Sequence, residues 1–416
     1  MIDCARSGES TIVGDIVPRT HILNNNEQNL HVGIVSESSL EHASGVTRSV
    51  REVTTHLMDG GHRVTIVCPS PAYYEYNGAE VIATKSISLK GFDVGHKPQK
   101  KFQKLFTQLG IDVLHVASPM DTPGGVLFLG GNAIRAANNL SIPIAAIYQT
   151  DAVRFSSHLG FGFAKPVVKK ILSDMHNLAD VNLAPSSASV QDLVDWGVCP
   201  ETIELWGRGV DTEAFNPRFR MSPAAIALRE SLAPNGEIIF GVVSRLEPEK
   251  RLHKLQIVTD IADTKLLIVG KGTEQDRLQE KFGPDAHFTG RLDGEELSSA
   301  YAAIDVFLFP SVTDTFAQVI QEAKASGIPA IAANRGGPRD LIEHGMTGFL
   351  YEPTAKKKKD KALREYAAQL TEDHELRVQM GKCARASVEN RTWGNLIRNE
   401  LVGHYTRAID VRHGKK

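Results

Sequence analysis

Four charged residues in the second half of the chain could together bind a phosphorylated ligand. In the stretch EIIFGVVSRLEPEKR, Arg245 follows a β-rich run and Lys250 comes five residues later. Two cations on one loop suit a diphosphate, because Arg can bind phosphate oxygens bidentately while Lys acts as a point charge. In PSVTDTFAQVIQEAKASGIPAI, Asp314 and Glu322 are eight residues apart. Such carboxylates could bind the hydroxyl groups of sugars joined to that diphosphate.

Each of these pairs also has a plainer interpretation. The two cations could form surface ion pairs with the neighbouring Glu247 and Glu249, and for this loop alone that interpretation is slightly favoured. Asp314 could be an ordinary N-cap and Glu322 an ordinary solvent-exposed residue, which is the favoured interpretation of that helix taken alone.

The segment after Asp314 is predicted to be an amphipathic helix with Asp314 as its N-cap. Its apolar residues recur at helical spacing and are expected to face a sheet: Phe316, Val319, Ile320 and Ala323. The free amides of Thr315, Phe316 and Ala317 would then point toward an anion. Eight helical residues rise ~12 Å, about the span of a folded diphosphate, so the two carboxylates could lie at its opposite ends.

Two further loops place glycine directly after a predicted strand. KLLIVGKGTEQDRL contains Gly270 and Gly272, and HFTGRLDGEEL contains Gly290 followed by Arg291. Glycine allows a backbone to approach a ligand closely, but a tight turn into a helix explains the first loop equally well. In the second loop, a helix is expected to begin near the acidic pair at 295 and 296.

The elements that must position these loops follow a repeated strand–helix pattern. HVGIVSE, RVTIVCPS, DVLHVAS, IPIAAIYQT and VNLAPSS are predicted strands of one parallel sheet, and EIIFGVVSR, KLLIVGKG, HFTGR, VFLFPS and IPAIAAN those of a second. The fold class is therefore α/β with two doubly wound halves. We predict a mobile extension over 1–30, one domain over 31–215, a second over 216–388, and a C-terminal helix over 389–416 that packs back toward the first domain.

Composition excludes several other classes of protein. The chain has 416 residues, of which 42% are hydrophobic and 23% charged, and its net charge is −2. That charge gives no reason to expect a nucleic-acid partner. The four cysteines are scattered without zinc or disulfide spacing, which favours a reducing cytoplasm. No apolar run approaches the ~20 residues needed to span a bilayer.

Because ligands of parallel sheets bind at the carboxyl ends of strands, the cations, glycines and carboxylates are expected to meet at one sheet edge. That combination suits a sugar joined to a nucleoside diphosphate. Three functions remain open at this point: a sugar transferase, a sugar-nucleotide epimerase, and an inactive nucleotide-binding scaffold.

Longer stretches of the chain resemble glycosyltransferase family 4, whose members are retaining enzymes of GT-B architecture. The matching stretches are RGVDTEAFNP, SRLEPEK, VGKG, the segment from Asp314 to Glu322, and EAKASGIPAIAANRGGPRDLIEHGMTGFLYEP. The resemblance covers about residues 31–410 and implies two Rossmann-like domains facing each other across a cleft. ESSLEHASGVTRSV, IYQTDAVRF, LAPSSASVQDL, WGRGVDTEAFNP and TFAQVIQEA are most similar to GDP-mannose-dependent α-mannosyltransferases of glycolipid synthesis. Plant sulfolipid synthases, which use a UDP-linked sugar, share several of these stretches.

The resemblance implies a role for each matching residue. Arg245 and Lys250 would bind the donor diphosphate, Glu322 the ribose, and Asp314 the transferred sugar, so that no metal or other cofactor is required. The remaining donor-binding residues would be Gly45, Gly270, Gly272, Arg291, Leu292, Phe316, Ala317 and Gln318. Asp151, at the end of IYQTD, would lie near the reacting sugar, although a helix cap explains it about equally well. Asp314 and Ala317 depart from the family, which usually has Glu and Gly at these positions.

The acceptor is expected to be lipid-linked. In FGFAKPVVKKIL, three lysines alternate with apolar residues, which on a helix would suit peripheral contact with an anionic membrane at the inner face of the plasma membrane. A half-buried helix with solvated lysines is at least as good an explanation. MDTPGGVLFLGG, at 120–131, resembles a lengthened loop on the acceptor side.

Overall fold

The computed structural model describes residues 29–41, 44–69, 74–89, 92–119, 129–150, 153, 165–354 and 360–414. The predicted extension over 1–30 lies outside these ranges except for its last two residues, and Asp151 lies outside them too. The described chain forms two compact units. The N-terminal unit contains the described residues up to Arg208 and those from Trp393 onward, and the C-terminal unit contains Gly209–Thr392. The boundaries at 208/209 and 392/393 lie seven and four residues from the domain boundaries predicted at 215/216 and 388/389.

The N-terminal unit is built on a sheet whose central strands are parallel. Its order is β3-β4-β2-β1-β6-β7-β8-β9, and β5 pairs with β4. The strands are β1 (His31–Val35), β2 (Arg63–Pro69), β3 (Tyr74–Tyr76), β4 (Ala79–Leu89), β5 (Phe92–His96), β6 (Val113–Val116), β7 (Ile144–Ile147), β8 (Val181–Ala184) and β9 (Ile203–Leu205). Strands β3 and β5 run antiparallel to β4. The five predicted strands of this half are present as β1, β2, β6, β7 and β8.

Helices cover this sheet because their apolar stripes match its buried faces. The described helices are α1 (Gly45–Asp59), α2 (Gln99–Leu109), α3 (Gly130–Asn139), α4 (Lys165–His176) and α5 (Ser187–Asp195). Helix α1 begins where the Ser44 side chain accepts a hydrogen bond from the amide of Thr47. Its residues Val46, Val50 and Leu57 recur at helical spacing and are buried.

The end of the chain belongs to the N-terminal unit. It forms α14 (Trp393–Leu396), a π-helical turn (Ile397–Leu401) and α15 (Val402–Arg412). Trp393, Leu396 and Tyr405 are buried in the same core as strand β1. The Tyr405 hydroxyl lies 2.7 Å from Nδ1 of His115 on β6. Burial lowers the pKa of His115 to about 3, so its imidazole is neutral.

The C-terminal unit has a sheet of six parallel strands in the order β12-β11-β10-β13-β14-β15. They are β10 (Ile238–Val243), β11 (Thr264–Val269), β12 (Ala286–Gly290), β13 (Val306–Phe309), β14 (Ala330–Ala333) and β15 (Gly348–Tyr351). Central strands such as β13 and β14 are buried along their whole length, as expected for a parallel sheet covered on both faces. The five strands predicted for this half are β10 to β14.

Five of the eight described helices of the C-terminal unit lie between consecutive strands, one precedes β10 and two follow β15. The helices are α6 (Pro223–Leu232), α7 (Gln256–Thr259), α8 (Gln275–Phe282), α9 (Gly294–Ala303), α10 (Gln318–Ala325), α11 (Pro338–Leu341), α12 (Lys361–Glu372) and α13 (His374–Ala386). Short 3-10 turns cover Pro217–Met221, Pro248–Lys250, Leu252–Leu255 and Gly283–Asp285. Helix α9 carries Glu295 and Glu296 in its first turn, which confirms the predicted helix start.

Candidate functional site

The predicted donor residues follow four neighbouring strands of the C-terminal sheet. Arg245 and Lys250 follow β10, Gly270 and Gly272 follow β11, Arg291 and Leu292 follow β12, and Asp314 follows β13. These strands are all parallel and adjacent in the order β12-β11-β10-β13. Their loops therefore leave the same edge of the sheet, where parallel α/β folds bind ligands.

Lys250 and Asp314 are in direct contact at this edge. Nζ of Lys250 lies 2.5 Å from Oδ1 of Asp314, and the side chains are only 13% and 20% exposed. The Ser311 hydroxyl donates to Oδ2 of the same carboxylate. The Lys250 ammonium also lies 6.0 Å from the centre of the Phe309 ring. Two residues predicted to bind the donor, one cation and one carboxylate, thus form an ion pair.

Arg245 is the more accessible of the two predicted cations. Its side chain is 68% exposed, and Nη2 lies 2.9 Å from Oε1 of Glu249. The surface ion pair considered for this loop is therefore present. Glu247 does not pair with the cations, because its carboxylate accepts hydrogen bonds from the side chain and the amide of Thr273.

The prediction that Asp314 is a helix N-cap is wrong. Helix α10 begins at Gln318, and the N-cap position is occupied by Ala317, which has the left-handed φ of 71°. Asp314 is instead part of a turn whose backbone carbonyl accepts the amide of Gly337 at 3.0 Å. The residues from Asp314 to Ala317 therefore lie outside the helix, and only about one helical turn separates Ala317 from Glu322. The predicted rise of eight helical residues between the two carboxylates is also wrong.

A double glycine supports this turn. A Cβ on Gly337 would lie 2.3 Å from the Cα of Phe316, and a Cβ on Gly336 would lie 2.5 Å from the carbonyl oxygen of Asp314. Any side chain at these positions would push the 314–316 turn away. This role of the GGP stretch was not predicted, although Gly-Gly and Gly-Pro are turn signals.

Glu322 is buried rather than solvent-exposed, so the plainer interpretation of this residue is wrong. It is 3% exposed, and its Oε2 accepts a hydrogen bond of 2.7 Å from the Tyr301 hydroxyl. Of the apolar residues predicted to face the sheet, Phe316, Ile320 and Ala323 are buried, whereas Val319 is half-buried, and Phe316 lies just before α10. The hydrogen bond from Tyr301 matters because burying a polar group is costly unless it is hydrogen-bonded.

The glycines after β11 have an internal structural reason. A Cβ on Gly270 would lie 1.9 Å from the carbonyl oxygen of Ser244, and one on Gly272 would lie 2.4 Å from that of Leu246. These glycines let the loop pack on the segment that carries Arg245. Close approach to a ligand is not needed to explain them.

The other predicted donor residues lie along the same edge. Gly290 has a φ of 74°, and the neighbouring Arg291 is exposed and paired with Asp293 at 3.1 Å. Leu292 is half-buried against the core, and Ala317 is buried within it. Gln318 donates from Nε2 to the carbonyl of Gly209 at 2.9 Å.

Gly45 belongs to the N-terminal unit, where it is the first residue of α1. Its carbonyl accepts from Nη1 of Arg208 at 3.4 Å, and Arg208 also donates to the side chain of Gln149 at the end of β7. Gln149 in turn donates to the carbonyl of Ala117. This buried polar network at the carboxyl ends of β6 and β7 was not found from the sequence.

The predicted membrane segment is helical over its described part. Lys165, Val167, Lys169 and Lys170 of α4 are exposed, and the Val167 side chain is 59% exposed. Every helix in the described ranges is too short or too polar to span a bilayer. The same ranges contain no group of three or more His, Cys, Asp or Glu residues placed to hold a metal ion.

Two doubly wound parallel-sheet units, one with cations and carboxylates at a sheet edge, are the architecture of GT-B glycosyltransferases. The chain belongs to this class through glycosyltransferase family 4: the model described as Glycosyltransferase Family 4 matches residues 43–214, and the model described as Glycosyl transferases group 1 matches 226–387.

Individual relatives agree with this assignment. The chain is 36% identical over 389 residues to a GDP-mannose-dependent alpha-mannosyltransferase of Corynebacterium glutamicum, covering 91% of this chain and 89% of that protein. It is 32% identical to a sulfoquinovosyl transferase of Arabidopsis thaliana, covering 92% and 74%. The structure of a sucrose-phosphate synthase from Thermosynechococcus elongatus superposes with a TM-score of 0.73 at 19% identity, covering 91% of this chain and 98% of that one, which supports the fold.

Proposed function

We propose that the protein is a retaining hexosyltransferase that moves mannose from GDP-mannose to a lipid-linked acceptor. The observation that carries this proposal is the group of Lys250, Asp314 and the buried Glu322 around the loops of one sheet edge. Relatives named as GDP-mannose-dependent alpha-mannosyltransferases support mannose as the sugar.

Each part of the donor would meet a different group of the C-terminal unit. Arg245 and Lys250 bind the diphosphate, and Glu322 binds the ribose hydroxyls, with Tyr301 holding the carboxylate in place. Asp314 and the backbone of Phe316 to Gln318 lie against the sugar. Backbone groups of Arg291 and Leu292 contact the base.

In the proposed reaction, the protein forms no covalent bond with the transferred sugar. The bond between the sugar C1 and the phosphate oxygen breaks, a bond from C1 to the acceptor oxygen forms on the same face, and the acceptor proton goes to the leaving phosphate. Arg245 and Lys250 stabilise the charge that develops on that phosphate, which is electrostatic catalysis that needs no metal ion.

We further propose that α4 brings the protein to the inner face of an anionic membrane, where a lipid acceptor would be found. Exposed Lys165, Lys169 and Lys170 around the exposed Val167 support this. At low salt, the wild type should sediment with vesicles that contain anionic lipid, whereas a variant with Lys169→Glu and Lys170→Glu should stay in the supernatant. Equal binding of both proteins would contradict this role of α4.

The direct test of the donor is calorimetric titration with GDP and with UDP in the absence of metal. Selective GDP binding, followed by transfer of mannose from GDP-mannose into lipid extract, is the expected result. Lys250→Met should abolish transfer, whereas Lys271→Met, on a neighbouring loop of the same edge, serves as the matched control. Binding of neither nucleotide would refute the proposal.

A UDP-linked sugar is the second candidate donor. It is supported by the relative named as a sulfoquinovosyl transferase, which matches most of this chain. Preference for UDP over GDP in the same titration would favour this candidate over mannose.

A further inference from the structure

The two cations proposed to bind the donor diphosphate are each paired with a carboxylate of the same unit. Lys250 contacts Asp314 at 2.5 Å, and Arg245 contacts Glu249 at 2.9 Å. The cations of the two pairs differ in exposure: the Lys250 side chain is 13% exposed and the Arg245 side chain is 68% exposed. Solvent and salt screen a shielded pair less than an exposed one. The Lys250–Asp314 pair therefore opposes any ligand that requires Lys250.

Asp314 is the fixed partner of this pair. Its Oδ2 accepts from the Ser311 hydroxyl, and its backbone carbonyl accepts from the amide of Gly337. A Cβ on Gly336 would lie 2.5 Å from that carbonyl, so the turn has no room to shift toward the glycine loop. Lys250 has four rotatable side-chain bonds and is the partner that can move.

We propose that Asp314 is the resting counter-ion of Lys250 and that the donor diphosphate displaces it. This inference rests on the proposed function. On donor binding, Lys250 exchanges a carboxylate for a phosphate, and Asp314 becomes available to accept hydrogen bonds from hydroxyls of the transferred sugar.

This exchange distinguishes the donor from the product nucleotide. The donor gives both residues of the pair a new partner, since its phosphate binds Lys250 and its transferred sugar binds Asp314. The nucleoside diphosphate left after transfer keeps its ribose but lacks the transferred hexose, so it separates the pair without giving Asp314 new partners. Asp314 thus competes with the product for Lys250 and favours its release.

Titration of nucleoside diphosphate into matched variants tests this exchange. GDP is the probe, or UDP if the wild type binds only UDP. Asp314→Asn removes the competing charge and should tighten binding about tenfold, while lowering kcat for transfer. Asp314→Glu keeps the charge and should stay within about threefold of the wild type. Glu249→Gln is the matched control at the exposed pair and should change the affinity by less than about threefold.

The outcomes separate this inference from the proposed function. A wild type that binds neither nucleotide refutes both. A wild type that binds nucleotide while Asp314→Asn binds it no more tightly refutes the exchange alone, because a carboxylate that only binds sugar hydroxyls would leave nucleotide affinity unchanged. Asp314→Ser provides a second neutral variant if Asp314→Asn fails to fold, and urea midpoints verify folding of every variant used.

Discussion

Replacing Ala317 by glycine is expected to leave the C-terminal unit about as stable as the wild type, although it deletes a buried methyl group. Ala317 is 8% exposed and has a φ of 71° and a ψ of 61°. The left-handed conformation costs an L-residue about 1–2 kcal/mol, and glycine removes this strain. Loss of the methyl group costs about 0.8 kcal/mol, and the greater freedom of glycine in the unfolded chain costs about 0.4–1 kcal/mol. These opposing effects nearly cancel.

Ala323→Gly is the matched control in the same helix. Ala323 is fully buried in the interior of α10, so the same methyl group is lost without any strain to relieve. Glycine in a helix interior costs about 1 kcal/mol relative to alanine, and the lost burial adds to that. We therefore expect Ala323→Gly to lower the free energy of unfolding by about 2 kcal/mol more than Ala317→Gly does.

Urea-dependent amide hydrogen exchange at β13 and β14 is the suitable assay, because it reports the C-terminal unit alone. Circular dichroism of the whole chain would add the unfolding signals of the two units, which need not unfold together. Equal losses for the two variants would refute the reasoning, since they would mean that Ala317 carries no backbone strain in solution.

Three further predictions concern the candidate donor site and its support. Glu322→Gln should weaken nucleotide binding about tenfold by calorimetry, and Tyr301→Phe should weaken it less, because the charged carboxylate remains; unchanged affinity in Glu322→Gln would remove this residue from the site. Burial lowers the pKa of Lys324 to about 8, so the unfolded chain binds the extra proton between about pH 8 and 10.5. The free energy of unfolding should therefore rise across that window by an amount on the order of 3 kcal/mol. Urea titrations at pH 7.5 and 10 should show this rise for the wild type and not for Lys324→Met. The same variant also leaves the carbonyl of Leu341 without its 2.6 Å donor. Transfer activity should persist in excess EDTA, and its loss, restored by a divalent cation, would show that Arg245 and Lys250 do not suffice.

Much of the fold follows from local sequence pattern. Ten predicted strands are present, because continuous apolar runs such as VFLFPS suit a sheet buried on both faces. The strands β3, β4, β5, β9 and β15 were not predicted. Three of them, β3, β9 and β15, have only three or four residues, which carry little pattern, but β4 has eleven. The C-terminal residues from Trp393 lie in the N-terminal unit, where Trp393, Leu396 and Tyr405 are buried in its core.

The helix start near Asp314 shows where local pattern fails. An acidic residue before an apolar repeat is a strong N-cap signal, yet α10 begins four residues later. The decisive contacts come from residues far along the chain, because Lys250 holds the Asp314 side chain and Gly337 holds its carbonyl. A helix beginning at Asp314 would have to give up both contacts.

The sequence by itself determined the class of fold, the edge of the sheet that carries the candidate site, and the residue types present there. These depend on strand order and on residues close together along the chain. Only the tertiary structure decided that Lys250 and Asp314 are partners and that Glu322 is buried beside Tyr301. The physical reason is that the charge and burial of a side chain are set by neighbours that can be more than 60 positions away, as Lys250 is from Asp314.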